Sequence, residues 1–473
     1  TWRERRFFYD KNGRPVQVVE SWSDGTLSRY SKRYDFVGNL LAEKEWHFTE
    51  NCTNEYLKYY GYDSRGRVLE CQRIINGQSY APLFYSYDDR GNISAKFATG
   101  RIEENIRYNI HGWRISQNVG LYDDTNTFHQ SLFYHQGENP RYGGDLSNTV
   151  SSQFSQTPLE SCYSYDKLRR LTSVDGTYDE TISYDLNGNV LSFNRMTPVS
   201  SSVSATCSYN GNYMIGCNST NLGSSSYNYD ALGRLTYDSS KGLRYFYNLC
   251  NLPSLITSST TNSIKGFIVY LADATKVISQ DVAGNIKVYR GSFVFNRTNS
   301  GEYSVESIAH DEGRFLAVQG ASGTEFIDTW HVRDYLGSVR AVYDITPEPE
   351  DVTSAGSQIL EQNDYYAFGG RIEVSGQAFD QTNRYRYNGK EQLRFESLNL
   401  DPGLTDYGAR YYAPTFGRWA SPDPLADKYY SISPYAFCNN NPVNFVDPDG
   451  NKLYFAAGVS EAFKQKFAAV VQF

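Results

Sequence analysis

Residues 62–69 read Tyr-Asp-Ser-Arg-Gly-Arg-Val-Leu. The same order, Tyr-Asp, two residues, Gly, a polar residue and then an apolar one, recurs along the chain. It stands at Tyr9-Asp10 with Gly13, Tyr34-Asp35 with Gly38, Tyr87-Asp88 with Gly91, Tyr184-Asp185 with Gly188, and Tyr229-Asp230 with Gly233. Degenerate copies stand at Tyr108-Asn109 with Gly112, at Tyr165-Asp166 with Arg169 in the Gly position, and at Tyr247-Asn248 with Asn251 there. The first spacings, 25, 28, 25 and 21 residues, are those of a repeat array. Within Tyr62-Asp63-x-x-Gly66 a strand ends on Tyr, and Asp opens a turn by accepting backbone N–H groups. Gly takes the positive φ, and an alternating strand returns. A lone hairpin is marginal in water, so the units must pair edge to edge into one long sheet. The predicted fold class is all-β, with the repeat tyrosines expected as a ladder of stacked rings.

Composition agrees. Among 473 residues there are 41 Tyr, 26 Phe, 6 Trp and 38 Gly but two Met, a balance that favours strands and turns. A net charge of −8 without a basic run argues against a nucleic-acid surface as the main function. No stretch reaches the ~18 apolar residues of a membrane span. The opening TWRERRFFYD has neither an initiator Met nor an apolar signal core, so the sequence reads as a fragment with any secretion signal outside it.

Six scattered His (47, 111, 129, 135, 310 and 331) show no HExxH or triad spacing, and no GxSxG is present. His331, beside Arg333 and Asp334, reads as a hydrogen-bonded strand residue. Seven Cys (52, 71, 162, 207, 217, 250 and 438) form no CxxC and no Cys–His cluster of zinc spacing. They read as isolated thiols in strands, although Cys207 and Cys217 flank a possible hairpin and admit a disulfide. No metal and no cofactor is expected. Ser147–Pro158 and Ser200–Ser226, rich in Ser, Thr and Asn, read either as long loops or as solvent-facing strands of the same sheet. Lys276–Tyr289 reads as two strands joined at Asp281–Asn285, and Glu348–Gln358 as an acidic loop.

Further on, four motifs follow in order: Asp334-Tyr335-Leu336-Gly337-Ser338, Tyr365-Tyr366-Ala367-Phe368-Gly369, Arg384 to Glu391 (RYRYNGKE), and Asp406 to Gly450. The last is dense in Asp, Asn, Pro and Gly turns pinned by aromatic anchors. With the YD units, these motifs resemble the Rhs (rearrangement hotspot) family and the core domain that ends its repeats. The likeness covers residues 1–450. It implies a spiralling β-sheet shell over 1–325, a core domain over 326–451 and the start of a variable C-terminal tip over 452–473. Leu453–Phe473 itself begins strand-like and becomes helical in spacing.

The resemblance also implies self-cleavage near Asp447-Pro448-Asp449-Gly450. Cleaving relatives cut just after this motif, with a pair of core-domain Asp and an Arg in an aspartyl-protease-like site. On this chain the candidates are Asp423, Asp406, and Arg410 or Arg418, with Asn451–Lys452 as the scissile bond. Two positions depart from the family pattern. Ala413 stands where the family has Asp after paired tyrosines, and Asn451 where cleaving relatives have Leu. Dyad chemistry then needs Asp406 as substitute. Otherwise Asp423 and Asp447 are turn-forming residues.

The implied function is a polymorphic-toxin shell that encapsulates and delivers its own C-terminal effector. The alternative is a cell-surface carbohydrate-binding or adhesion repeat protein without proteolytic activity. The implied partners are the chain's own tip, an immunity protein and a secretion apparatus, or a carbohydrate or cell-surface ligand. The implied location is secreted or on the bacterial cell surface.

Overall fold

The computed structural model describes residues 2–456 apart from 51, 122–127, 138, 154–155, 199–200, 222, 322, 347–358, 375–382, 395–402 and 429. The expected acidic loop and the helical part of the tip lie outside these residues. Thirty-one strands, from β1 (Arg3–Tyr9) to β31 (Ile359–Gln362), form one sheet. Each strand pairs antiparallel with the next in the chain. The result is a single meander. It runs unbroken through position 326, and the architecture changes only after Gln362.

The repeat turn has one geometry. Tyr62 ends its strand and pairs with Val68 across a register shift, as Tyr87 does with Ile93 and Tyr184 with Val190. Asp63 Oδ1 accepts the N–H groups of Arg65 (2.8 Å) and Arg67 (2.9 Å), and the Gly66 N–H reaches the Asp63 carbonyl at 3.0 Å. Gly66 sits at φ +75°, and in the degenerate copies Arg169 (φ 64°) and Asn251 (φ 60°) take that strained position. The polar residue after Gly closes the unit. Asp63 Oδ2 accepts Arg67 Nε at 2.7 Å, Asp88 takes Asn92 at 2.9 Å, Asp185 takes Asn189 at 2.8 Å, and Asp230 takes Arg234 at 2.7 Å. Each turn follows an odd-numbered strand, so all the YD turns lie along one edge of the strip. Asp334-x-x-Gly337-Ser338 is one more copy, with Asp334 Oδ1 accepting from Leu336 (3.0 Å) and Ser338 (2.9 Å).

The expected ring-on-ring ladder is corrected by what stands between the rings. Arg14, Arg67, Arg170 and Arg234 each place a guanidinium over the Tyr of the following unit, at 4.8, 4.4, 4.9 and 4.9 Å from the ring centroid. Of these rings Tyr87, Tyr184 and Tyr247 in turn donate their hydroxyls to carbonyls of the preceding hairpin, those of Val68 (2.8 Å), Leu171 (2.6 Å) and Leu235 (2.7 Å). Cation–π contact and a buried hydroxyl bond thus join neighbouring units. The Ser/Thr-rich stretches are strands of the sheet, including β12 (Asn148–Gln153), β17 (Ser202–Asn210) and β18 (Tyr213–Ser219).

The strip coils back on itself. Its first strands meet its last through Arg3–Asp273 (2.6 Å), Asp24–Arg290 (3.1 Å), Lys96–Glu312 (3.0 Å) and the buried two-bond pair Arg73–Asp328 (3.0 and 2.7 Å). Apolar contacts run with them, Leu83 and Phe128 against Trp330 and Tyr343, and Tyr56 against Phe293 and Phe315. Between these ends, one face of β11 (Phe128–Phe133) to β23 (Ile264–Tyr270) carries Leu146, Leu171, Phe193 and Tyr245. It is covered by Tyr387, Tyr407, Tyr412, Trp419 and Phe437 of the C-terminal region. That region thus fills the curve of the sheet. Its Asn-rich segment reads the YD edge directly. Asn440 Nδ2 donates to the Gly188 carbonyl (2.7 Å), Asn441 Nδ2 to Arg169 (2.8 Å), and Ser433 Oγ to Asn189 Oδ1 (2.8 Å). Cys438, Asn439 and Asn440 are all left-handed, at φ 49°, 53° and 57°, a conformation that Asn tolerates best after Gly.

Candidate functional site

Arg410 lies in the tight connection between β35 (Thr405–Asp406) and β36 (Tyr411–Ala413), closed by Tyr407 N–H to the Arg410 carbonyl at 3.0 Å. Its guanidinium is buried flat on Trp419, 4.1 Å from the ring centroid. Three groups converge on it. Nη2 is 3.0 Å from Asp423 Oδ2 and 3.1 Å from Asp447 Oδ2, and Nε donates to the Gly450 carbonyl at 2.6 Å. Nη1 is buried with no hydrogen-bond partner.

Asp423 sits in the Ser-Pro-Asp-Pro turn after β37 (Arg418–Trp419). Its N–H is anchored on the Pro434 carbonyl (2.9 Å), and its Oδ1 accepts Leu425 N–H (2.7 Å). Asp447 follows β38 (Phe445–Val446). Its Oδ1 accepts the N–H groups of Gly450 (2.8 Å) and Asn451 (3.0 Å). Burial, with Asp449 and Asp423 adding to it and Arg410 opposing, pushes Asp447 up to about 6. Gly450 has φ +77°, and a Cβ there would lie 3.0 Å from the Arg410 backbone nitrogen. Only glycine brings this backbone so close to Arg410. Asp449 Oδ1 accepts Asn451 and Lys452 N–H at 2.9 and 3.2 Å, and the Lys390 ammonium donates to the Pro448 carbonyl. A cavity of about 90 Å³, lined by Arg410, Asp423, Ser433, Asn439, Asn451 and Leu453, opens beside the motif.

Asp423, Arg410 and the Asp447–Asn451 motif are therefore together. Asp406 and Arg418 are not with them. Asp406 Oδ2 is 2.7 Å from Lys276 Nζ and 3.1 Å from Tyr411 Oη, inside a network that includes Lys276–Glu391 (2.6 Å). Against the cost of burial, Lys276 and Arg384 hold Glu391 down to about 2. Arg418 donates to the Asn212 carbonyl (2.8 Å) and lies over Tyr209 and Tyr435, bracing the core against the sheet. The carboxylate facing Asp423 is Asp447, which the sequence reading placed in the cleavage motif. Ala413 is buried and paired with Arg418. Among the described residues no group of three or more His, Cys, Asp or Glu could hold a metal.

Beyond Gly450 the chain forms β39 (Tyr454–Phe455) against β38, with Phe455 buried against Phe445 at 5.6 Å and the Ala456 N–H on the Asn444 carbonyl (2.8 Å). Phe455 thus lies on the covered face of the sheet.

No family model matches the chain. It is 23% identical over 481 residues to teneurin-3 of Mus musculus, an alignment that takes in 93% of this chain and 16% of the teneurin. It is 35% identical over 94 residues to the toxin subunit YenC2 of Yersinia entomophaga, 20% of this chain and 9% of that subunit. The chain thus spans a small part of either relative. A solved structure of TcdB2–TccC3 aligns over 94% of this chain and 28% of the other, with 15% identity and a TM-score of 0.46. On its repeat, its four ordered motifs and these relatives, the chain is similar to YD-repeat proteins of the Rhs type.

Proposed function

We propose that this β shell, related in sequence to toxin subunits, holds a C-terminal tip on its covered face and frees it by cutting its own backbone at Gly450–Asn451. The observation that carries this reading is the convergence of Arg410 and Asp447 on that one peptide unit, with Asp423 on the same guanidinium. Arg410 Nε is already on the carbonyl oxygen of that unit and Asp447 Oδ1 on its nitrogen. A water in the adjoining cavity, which has room for one, attacks the Gly450 carbonyl carbon as Asp423 takes its proton. The tetrahedral oxyanion is held by the guanidinium. Asp447, protonated below about pH 6, passes its proton to the Asn451 nitrogen as the C–N bond breaks. The products are a Gly450 carboxyl and an Asn451 amine. Two carboxylates on one cation, with Asp447 raised by burial, supply acid and base together. Because bond and catalyst share one chain, positioning does the work of high concentration.

Ala413 does not remove the pair in this reading, because Asp447 is its second member. The bond lies one residue before Asn451–Lys452, and Arg410 on the Gly450 carbonyl is what favours it. Of the repeat tyrosines that a carbohydrate-binding reading would use, Tyr87, Tyr184 and Tyr247 have their rings under arginines and their hydroxyls on backbone. Export to the outside of a cell, an immunity protein and a secretion apparatus accompany the proposal as its expected context. The test is a time course of the purified chain with N-terminal sequencing of any released peptide. Asn451 as first residue supports the assignment, Lys452 moves the bond by one, and an uncut chain contradicts it.

A further inference from the structure

Cys207 on β17 and Cys217 on β18 are direct partners across the antiparallel ladder. Both are buried, on the face covered by the C-terminal region. Directly opposed residues in such a ladder have Cα atoms about 4.5–5.5 Å apart, inside the window of about 4.4–6.8 Å that a disulfide requires. A hydrogen bond between the two thiols raises Cys207, with burial adding to it, and lowers Cys217 against the opposing effect of burial, so Cys217 ionises first. In the structure both are thiols, as are the other five cysteines.

We propose that Cys207 and Cys217 are a redox pair that closes into a cross-strand disulfide when the chain meets a disulfide oxidant. The Cys217 thiolate attacks a low-molecular-weight disulfide, releasing one thiol. Cys207 then loses its proton and displaces the second thiol, so two protein thiols are oxidised as one external disulfide is reduced. Burial confines the reaction to a transiently opened hairpin or to folding. The bond would staple the hairpin whose far turn receives Arg418, through the Asn212 carbonyl and the Tyr209 ring. Oxidation would therefore tighten the seat of the C-terminal region on the sheet. Shared burial, register and contact set this pair apart from the remaining cysteines, none of which faces another cysteine across the described ladders.

The test is thiol titration under denaturing conditions after the full chain has been treated with oxidised glutathione, both as the native protein and during refolding, followed by non-reducing peptide mapping. The expected result is loss of two of the seven thiols, mapped to Cys207–Cys217. Cys162→Ser should still lose two, and Cys207→Ser and Cys217→Ser should form no internal disulfide. Loss in the refolding arm alone supports the pair and places its formation in folding. Seven free thiols in both arms, or a bond joining other cysteines, overturns the proposal. If Cys207→Ser fails to fold, the mapped bond in the wild-type chain still decides.

Discussion

Arg410 Nε and the Gly450 carbonyl oxygen are 2.6 Å apart, although 40 residues separate them in the chain. This contact ties the sharp turn between β35 and β36 to the Asp447–Gly450 motif. Its donor is buried on Trp419, so it is held in a place where water competes poorly.

Replacing Arg410 by Ala leaves Asp447 buried without its cation. Breaking such a pair costs about 3–5 kcal/mol, so denaturant unfolding of the core should shift to lower concentration by a corresponding amount. Arg410→Lys keeps a charge but cannot serve both carboxylates and the carbonyl in one plane. It should keep most of the stability while slowing release of the tip about 10²–10³-fold, the scale of losing an oxyanion donor.

The pH dependence separates two carboxylates of opposite sign. Asp447 is raised from 3.8 to about 6, so between these values the folded chain holds a proton that the unfolded chain has lost. Its contribution therefore falls as pH rises from about 4 to about 6. Glu391 is depressed from 4.5 to about 2, so its contribution is full above 4.5 and is lost as pH falls toward 2. Thermal melts from pH 3 to pH 8 should show Asp447→Asn flattening the upper window alone. Glu391→Gln should alter the lower one alone.

At the repeat edge, Gly66→Ala forces a side chain to φ +75° with only Asn39 Oδ1 near, 3.4 Å from the new Cβ. The cost is about 1–2 kcal/mol of backbone strain. Gly450→Ala carries the same strain plus a Cβ at 3.0 Å from the Arg410 nitrogen. It should cost more and also impair cleavage, a difference that paired unfolding and cleavage assays would show.

Trp419 is 1% exposed and touches Tyr407, Tyr412 and Phe437 edge-on at 5.2 to 5.6 Å. Trp419→Ala should cost about 3–5 kcal/mol. Hydrogen exchange should then rise over 405–450 before it rises in the sheet.

Much of this was legible in the residues. Tyr-Asp-x-x-Gly specifies its own turn, because Asp, Gly and the strand-ending Tyr each have a local task, and so the strand meander followed from spacing alone. The role of Arg67 and its equivalents was not legible, since their partner is the next repeat's ring and the period says only that they are polar. By composition Ser200–Ser226 admitted either loop or strand, and tertiary pairing made Ser202–Asn210 and Tyr213–Ser219 strand. At the site, Arg410 and Asp423 could be named from motifs. Asp447 as the second carboxylate could not, because its proximity arises from two turns 24 residues apart. Asp406 looked equally suited until Lys276, 130 residues away, was seen to hold it.

The most direct measurement is intact mass of the purified 473-residue chain under denaturing conditions, followed over time below and above pH 6. The account predicts conversion of the 53.8 kDa chain into a species ending at Gly450, faster on the acid side and abolished by Asp423→Asn and by Asp447→Asn. A single uncut species at every pH, or cleavage that survives both substitutions, would contradict it.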